Sequence, residues 1–174
     1  MKKKLVIILI IIISIIGLEK TSDKIPTLNL PTFQIINQKK EKPIGTLIIK
    51  KINLKQNIYN TDSIENTVEK NVTVLKESIF PPNENSIIFL AAHSGTGKIA
   101  FFQELDKLKE NDTITLIYNH KKYDYKVKSI WEEKKNGYIN INKEIENQLI
   151  LTTCSPTKDN LQLIINCTRK ESIA

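Results

Sequence analysis

The sequence predicts a mainly β fold: a closed or nearly closed barrel of about eight short strands with one or two short helices, preceded by an N-terminal transmembrane helix. Three observations carry this. Short runs rich in Ile, Leu, Val, Thr and Tyr recur from IGTLIIKKI at 44–52 to LQLIINC at 161–167, at strand length rather than helix length. These runs do not alternate with helical segments, as a parallel α/β sheet would require, so a barrel is the natural way to bury them. Finally, MKKK is followed by an apolar run from Leu5 to Leu18, interrupted only by Ser14 and Gly17.

A basic start and an apolar segment suit either a cleaved signal peptide or a signal anchor. No small-x-small cleavage site follows, which favours an uncleaved anchor over residues 1–20. The run is shorter than the ~20 residues that span a bilayer comfortably, and flanking lysines can snorkel to the interface. Lys2 to Lys4 would stay cytoplasmic and the remainder would lie outside. Residues 21–43 hold three prolines and no sustained periodicity, the composition of an extracellular linker. Residues 44–174 are then a single domain, long enough for one core.

The formal net charge is +7, carried almost wholly by lysine, with Arg169 the one arginine in the chain. Phosphate and groove recognition favours arginine forks and aromatic platforms. Neither is present as a cluster, so a nucleic-acid partner is not expected. A basic oligonucleotide-binding barrel is a rival reading on charge alone.

Taken in order, IGTLIIKKI and QNIYN read as strands, and Asp62 or Ser63 is placed to cap a short helix through SIENTVEK. ENSIIFLAAHS is a continuous apolar run ending at His93, as a buried strand would look. FFQELDKLKEND puts Phe101, Phe102, Leu105 and Leu108 on one helical face. TITLIYN and KKYDYKVKSIW flank Asn119-His120-Lys121 as a hairpin. In the second arm Tyr123, Tyr125 and Val127 alternate with Lys122, Asp124, Lys126 and Lys128, the period of a half-exposed strand. NGYINI reads as a turn and a short strand, and QLILTTC and LQLIINC complete the set.

Both cysteines lie in this last pair. If the two strands run antiparallel, about five residues at ~3.3 Å each separate Cys154 from Cys167 along the sheet, whereas a disulfide needs Cα atoms within about 7 Å. Cys167 is in phase with Leu161, Leu163 and Ile165 and reads as core. Cys154 sits at a strand end beside a Ser-Pro turn, where a thiol can meet solvent. Its nucleophilic form is the thiolate, which a neighbouring imidazole can generate. His120 falls in the hairpin turn. His93 emerges from the buried strand into a Ser/Gly loop, and reads equally as a satisfied core histidine or as that base.

IGTLIIKKINLKQNIYN, NSIIFLAAHSG, FFQELDKLKENDTITL and LILTTC, in this order and spacing, resemble the sortases over roughly residues 43–170. Members of that family are membrane-anchored cysteine transpeptidases with an eight-stranded barrel. The AAHS and TTCSP phrasing is class B-like, but the segment before LILTTC is too short for the long class B helix. A compact class B/D-like or unclassified member is implied. The resemblance makes His93 and Cys154 catalytic and gives Thr153 and Ser94 to substrate binding. The family's arginine, early in the strand after the cysteine, falls at Gln162. Three readings follow: Gln162 acts as a neutral oxyanion donor, Arg169 substitutes from further along, or the barrel is weakly active or non-catalytic and serves as a binding or assembly module. A neutral donor in place of a charged one costs ~1–2 kcal/mol, roughly tenfold in rate.

The implied partners are exported proteins bearing an LPXTG-like sorting signal and, as acceptor, an amine of a peptidoglycan precursor or a pilin. No cofactor is expected. Calcium is a weak reading of Glu104, Asp106, Glu110 and Asp112, which more simply form the solvated face of a small helix. The implied location is the cell membrane, with a single pass and an extracellular catalytic domain.

Overall fold

The computed structural model describes residues 41–142 and 144–170. The expected anchor over 1–20, and all but the end of the expected linker over 21–43, lie outside the described residues. Among the described residues no helix is long and apolar enough to cross a membrane.

Eight strands form one sheet: β1 (Gly45–Ile49), β2 (Leu54–Ile58), β3 (Thr73–Val74), β4 (Ile87–Ala91), β5 (Thr113–Tyr118), β6 (Lys121–Lys134), β7 (Gln148–Cys154) and β8 (Leu161–Arg169). Their order is β2-β1-β5-β6-β8-β7-β4-β3. All pairings are antiparallel except β4 with β7. The sheet curls into a nearly closed barrel whose two edges are β2 and β3. Gln56 on β2 donates its side-chain amide to Asn71 Oδ1 just ahead of β3, at 2.8 Å, so the seam is bridged by side chains where the ladder stops.

Alternation along each strand fills the interior. Leu47 and Ile49 from β1, Ile88 and Leu90 from β4, Ile114 and Leu116 from β5, Tyr125 and Val127 from β6, Leu149 and Leu151 from β7, and Leu163, Ile165 and Cys167 from β8 form one buried cluster. The other face of β7 and β8 is also covered, with Ile150 and Ile164 fully buried. QLILTTC is therefore apolar throughout because neither side of β7 faces water until Cys154.

Local structure departs from expectation in three places. SIENTVEK forms a series of turns rather than a helix; Ser63 Oγ accepts the Glu65 N–H (3.0 Å) but no helix follows. The segment FFQELDKLKEND yields only a 3₁₀ turn at Leu105–Lys107. Its buried residues Phe102, Leu105 and Leu108 recur every three positions, the period at which a 3₁₀ turn stacks its side chains. NGYINI makes its turn at Gly137, where φ is +85°, but no strand; the eighth strand is the two-residue β3 instead.

Candidate active site

Three neighbouring strands build the site by register alone. β4 and β7 are parallel with Ala91 opposite Thr152, so two residues further on the chain brings His93 level with Cys154. β7 and β8 are antiparallel with Cys154 opposite Gln162. Ser155 N–H donates to the Leu161 carbonyl at 2.9 Å. That makes Cys154–Gln162 the adjoining non-hydrogen-bonded pair, the kind whose side chains stand closest. The N–H and C=O of Cys154 accordingly point away from β8, toward the β4 side.

Two bonds fix the histidine's end of the site. The buried Thr153 hydroxyl donates to the Ala92 carbonyl (2.7 Å), where the ladder of β4 is ending, and Phe102 N–H donates to the His93 carbonyl (2.9 Å). His93 thus leaves the sheet with its backbone held from both sides. Its side chain is half-buried, and Cys154 is exposed, the first exposed residue of β7.

His93, Cys154 and Gln162 line one cavity of about 250 Å³, together with Val68, Ala91, Ala92, Thr152, Thr153 and Lys135. Lys135 was not foreseen from sequence. It lies in a Lys-Lys-Asn-Gly run that reads as an ordinary solvated turn. Thr153 lines the cavity, but its hydroxyl is spent on Ala92. Ser94 is half-buried in the following loop and is not among the cavity's walls.

Gln162 is next to the nucleophile candidate, but its amide is already occupied. The Nε2 group donates to the Tyr138 carbonyl (2.8 Å) and to Glu133 Oε1 (3.2 Å). To donate to an oxyanion it would first have to leave these partners. Arg169 is excluded as a substitute by its position. It pairs with Tyr125 and stands 6.0 Å from the Tyr123 ring centre, seven residues along β8 from Gln162, on the order of 23 Å. The larger hollow of about 1080 Å³ that it lines with Lys121 and Lys122 holds neither a thiol nor an imidazole.

Cys154 and Cys167 are both free thiols. Cys167 is opposite Leu149, five residues from Cys154 along β7, and burial pushes its thiol pKa strongly upward. Among the acidic residues read as weak calcium ligands, Asp112 bonds Lys51 Nζ (2.6 Å) and the Lys109 N–H (2.6 Å), and Glu104 pairs with Lys107 (2.6 Å). No cluster of His, Cys, Asp or Glu with metal-binding geometry occurs among the described residues.

The sortase domain family matches residues 47–170, which contain every residue of this site. Among solved structures, sortase C from Clostridium perfringens SM101 is 28% identical with a TM-score of 0.61, covering 75% of this chain and 71% of that one. Sortase C1 of GBS Pilus Island 1 is 26% identical at a TM-score of 0.62, covering 75% of this chain and 66% of its own. A lid mutant of sortase A from Corynebacterium diphtheriae, 22% identical with a TM-score of 0.64 over 78% of this chain and 75% of that one, shares the fold. A search of curated sequences finds no match. With the barrel, the strand order and the match over residues 47–170 in agreement, the chain belongs to the sortase family.

Proposed function

We propose that the protein is a cysteine transpeptidase that cleaves an LPXTG-like sorting signal and transfers the exported protein to an amine. The observation that carries this is the convergence of β4, β7 and β8, which delivers a solvent-facing thiol and an imidazole to one cavity with mostly apolar walls. His93 takes the proton of Cys154, and the thiolate attacks the scissile carbonyl carbon. The Cys154 N–H, directed away from β8, is placed to donate to the tetrahedral oxyanion. As the intermediate collapses, His93 returns the proton to the departing amine and a thioester remains on Cys154. An amine of a peptidoglycan cross-bridge or a pilin lysine then gives its proton to His93 and attacks the thioester, releasing the joined product and the free thiol. The pilus association named for one similar structure supports the pilin lysine as acceptor. An N-terminal anchor over residues 1–20 would hold the extracellular domain at the cell membrane, where exported substrates emerge.

The test is to incubate the full chain with a library of LPXTG-like peptides, with and without an amine, and to trap the acyl-enzyme for mass spectrometry. A thioester mapped to Cys154, resolved by added amine and lost in H93A, is expected. Peptide cleavage that persists in C154A would overturn the assignment. The alternative of a non-catalytic barrel that binds sorting-signal proteins predicts peptide binding with no adduct on Cys154.

A further inference from the structure

The site holds a cation that the β8 sequence does not supply. In register, Glu133 of β6 is opposite Gln162, which is opposite Cys154, so the three side chains share one face of the sheet. Lys135 continues this row. Its N–H donates to the Asn160 carbonyl (2.9 Å), extending the β6–β8 ladder two residues beyond Glu133 and returning its side chain to the same face. It is then a diagonal neighbour of Gln162, at the ~7–8 Å backbone spacing that a long side chain bridges. Lys135 is the one lysine or arginine among the residues lining the cavity of Cys154 and His93. No carboxylate among the described residues forms an ion pair with it.

The segment that carries Lys135 is also fastened at the site. Gln162 Nε2 bonds the Tyr138 carbonyl, and Glu133 accepts from the Asn140 N–H (3.2 Å) and from Asn140 Nδ2 (2.8 Å). Gln162 and Glu133 are themselves joined, so the two strands grip the 135–140 turn from both sides.

We propose that Lys135 provides the positive charge of this active site, donating to the carbonyl oxygen of the scissile bond as it becomes an oxyanion, and that Gln162 is a positioning residue that holds the Lys135 turn in place. The proposal rests on the transpeptidase reading but is tested apart from it. An ammonium group is a point charge with three rotatable donors and acts most strongly where charge develops in the transition state.

The experiment uses the full chain in detergent and compares alkylation of Cys154 by iodoacetate and by iodoacetamide, read by mass spectrometry, at low ionic strength where exposed charges are least screened. In the wild type, Lys135 raises the rate with the anionic reagent relative to the neutral one. K135M lowers that ratio several-fold, and K135R keeps it. With a cleavable sorting-signal peptide, K135M lowers kcat about tenfold with KM nearly unchanged, K135R restores it, and arginine introduced at Gln162 in the K135M background recovers part of the loss. Q162L lowers kcat and increases amide exchange at Tyr138 to Asn140. An iodoacetate-to-iodoacetamide ratio that is the same in wild type and K135M overturns the proposal, and so does a changed ratio with unchanged kcat. If His93 proves irrelevant to Cys154 alkylation, the transpeptidase reading fails, while the ratio still reports whether Lys135 acts at the thiol.

Discussion

Cys154 and Cys167 lie on adjoining strands, with the first exposed at a lip and the second fully buried in the barrel interior. Burial stabilises the neutral thiol of Cys167 and pushes its pKa up, so it is both sterically and chemically withheld. In the native full chain at neutral pH, iodoacetamide is expected to modify one thiol, at Cys154, and a second only in denaturant; a native adduct on Cys167 would contradict this placement. These two residues could be separated in the sequence because Cys167 is in phase with the core residues Leu163 and Ile165, whereas Cys154 ends its apolar run at a turn, where the cover on β7 stops. His93 was legible only to the point of a choice between base and core residue, since its role depends on which strand lies beside β4. Lys135 was hidden for a different reason. A lysine among many others carries no local signal, and only the β6–β8 register brings this one to the thiol.

The β5–β6 hairpin turns on Asn119 and His120, with φ of 47° and 62°. Two successive positive φ values are the signature of a type I′ turn, which matches the twist of the flanking strands and favours Asn-Gly. His120 carries a Cβ where glycine would carry none. H120G is expected to stabilise the domain by about 0.5–1 kcal/mol, a rise of a few degrees in Tm, with kcat/KM unchanged. The Cys154 site is spared because the 14-residue β6 separates this turn from Lys135 by about 45 Å of strand. A fall in Tm, measured by thermal unfolding, would mean that the imidazole is needed there. Elements with strong local signals, such as this hairpin, were readable from sequence. Those whose form is set by what covers them were not: the 102–108 segment buries Phe102, Leu105 and Leu108, three positions apart, the spacing of a 3₁₀ turn rather than of an α-helix. β3 is two residues long and takes its identity only from pairing with β4.

At the scale of the whole barrel, alternating apolar positions specified a β-rich core, but strand order was beyond local reading. The parallel β4–β7 pair joins residues about 60 positions apart, and no local pattern announces such a partner. The same closed interior sets a limit at high pH. Tyr125 is fully buried, and burial raises its phenol pKa from the ordinary value near 10 to about 12, with Arg169 opposing the shift. Because the folded value lies above the unfolded one, the protonated phenol contributes stability that is fully present below about pH 10 and is lost as pH rises toward 12. Its hydroxyl also has no hydrogen-bond partner among the described residues, so at neutral pH it brings a desolvation cost without a compensating bond. Y125F removes both effects while keeping the ring in the core. It is expected to leave Tm at pH 7 unchanged or slightly raised, and to flatten the decline of Tm between pH 10 and 12, as measured by thermal unfolding across that range. If Y125F instead lowers stability at pH 7 by more than ~1 kcal/mol, the hydroxyl must be bonded within the barrel. The interior would then be polar at its centre rather than the continuous apolar cluster that holds β4, β7 and β8 in register at the active site.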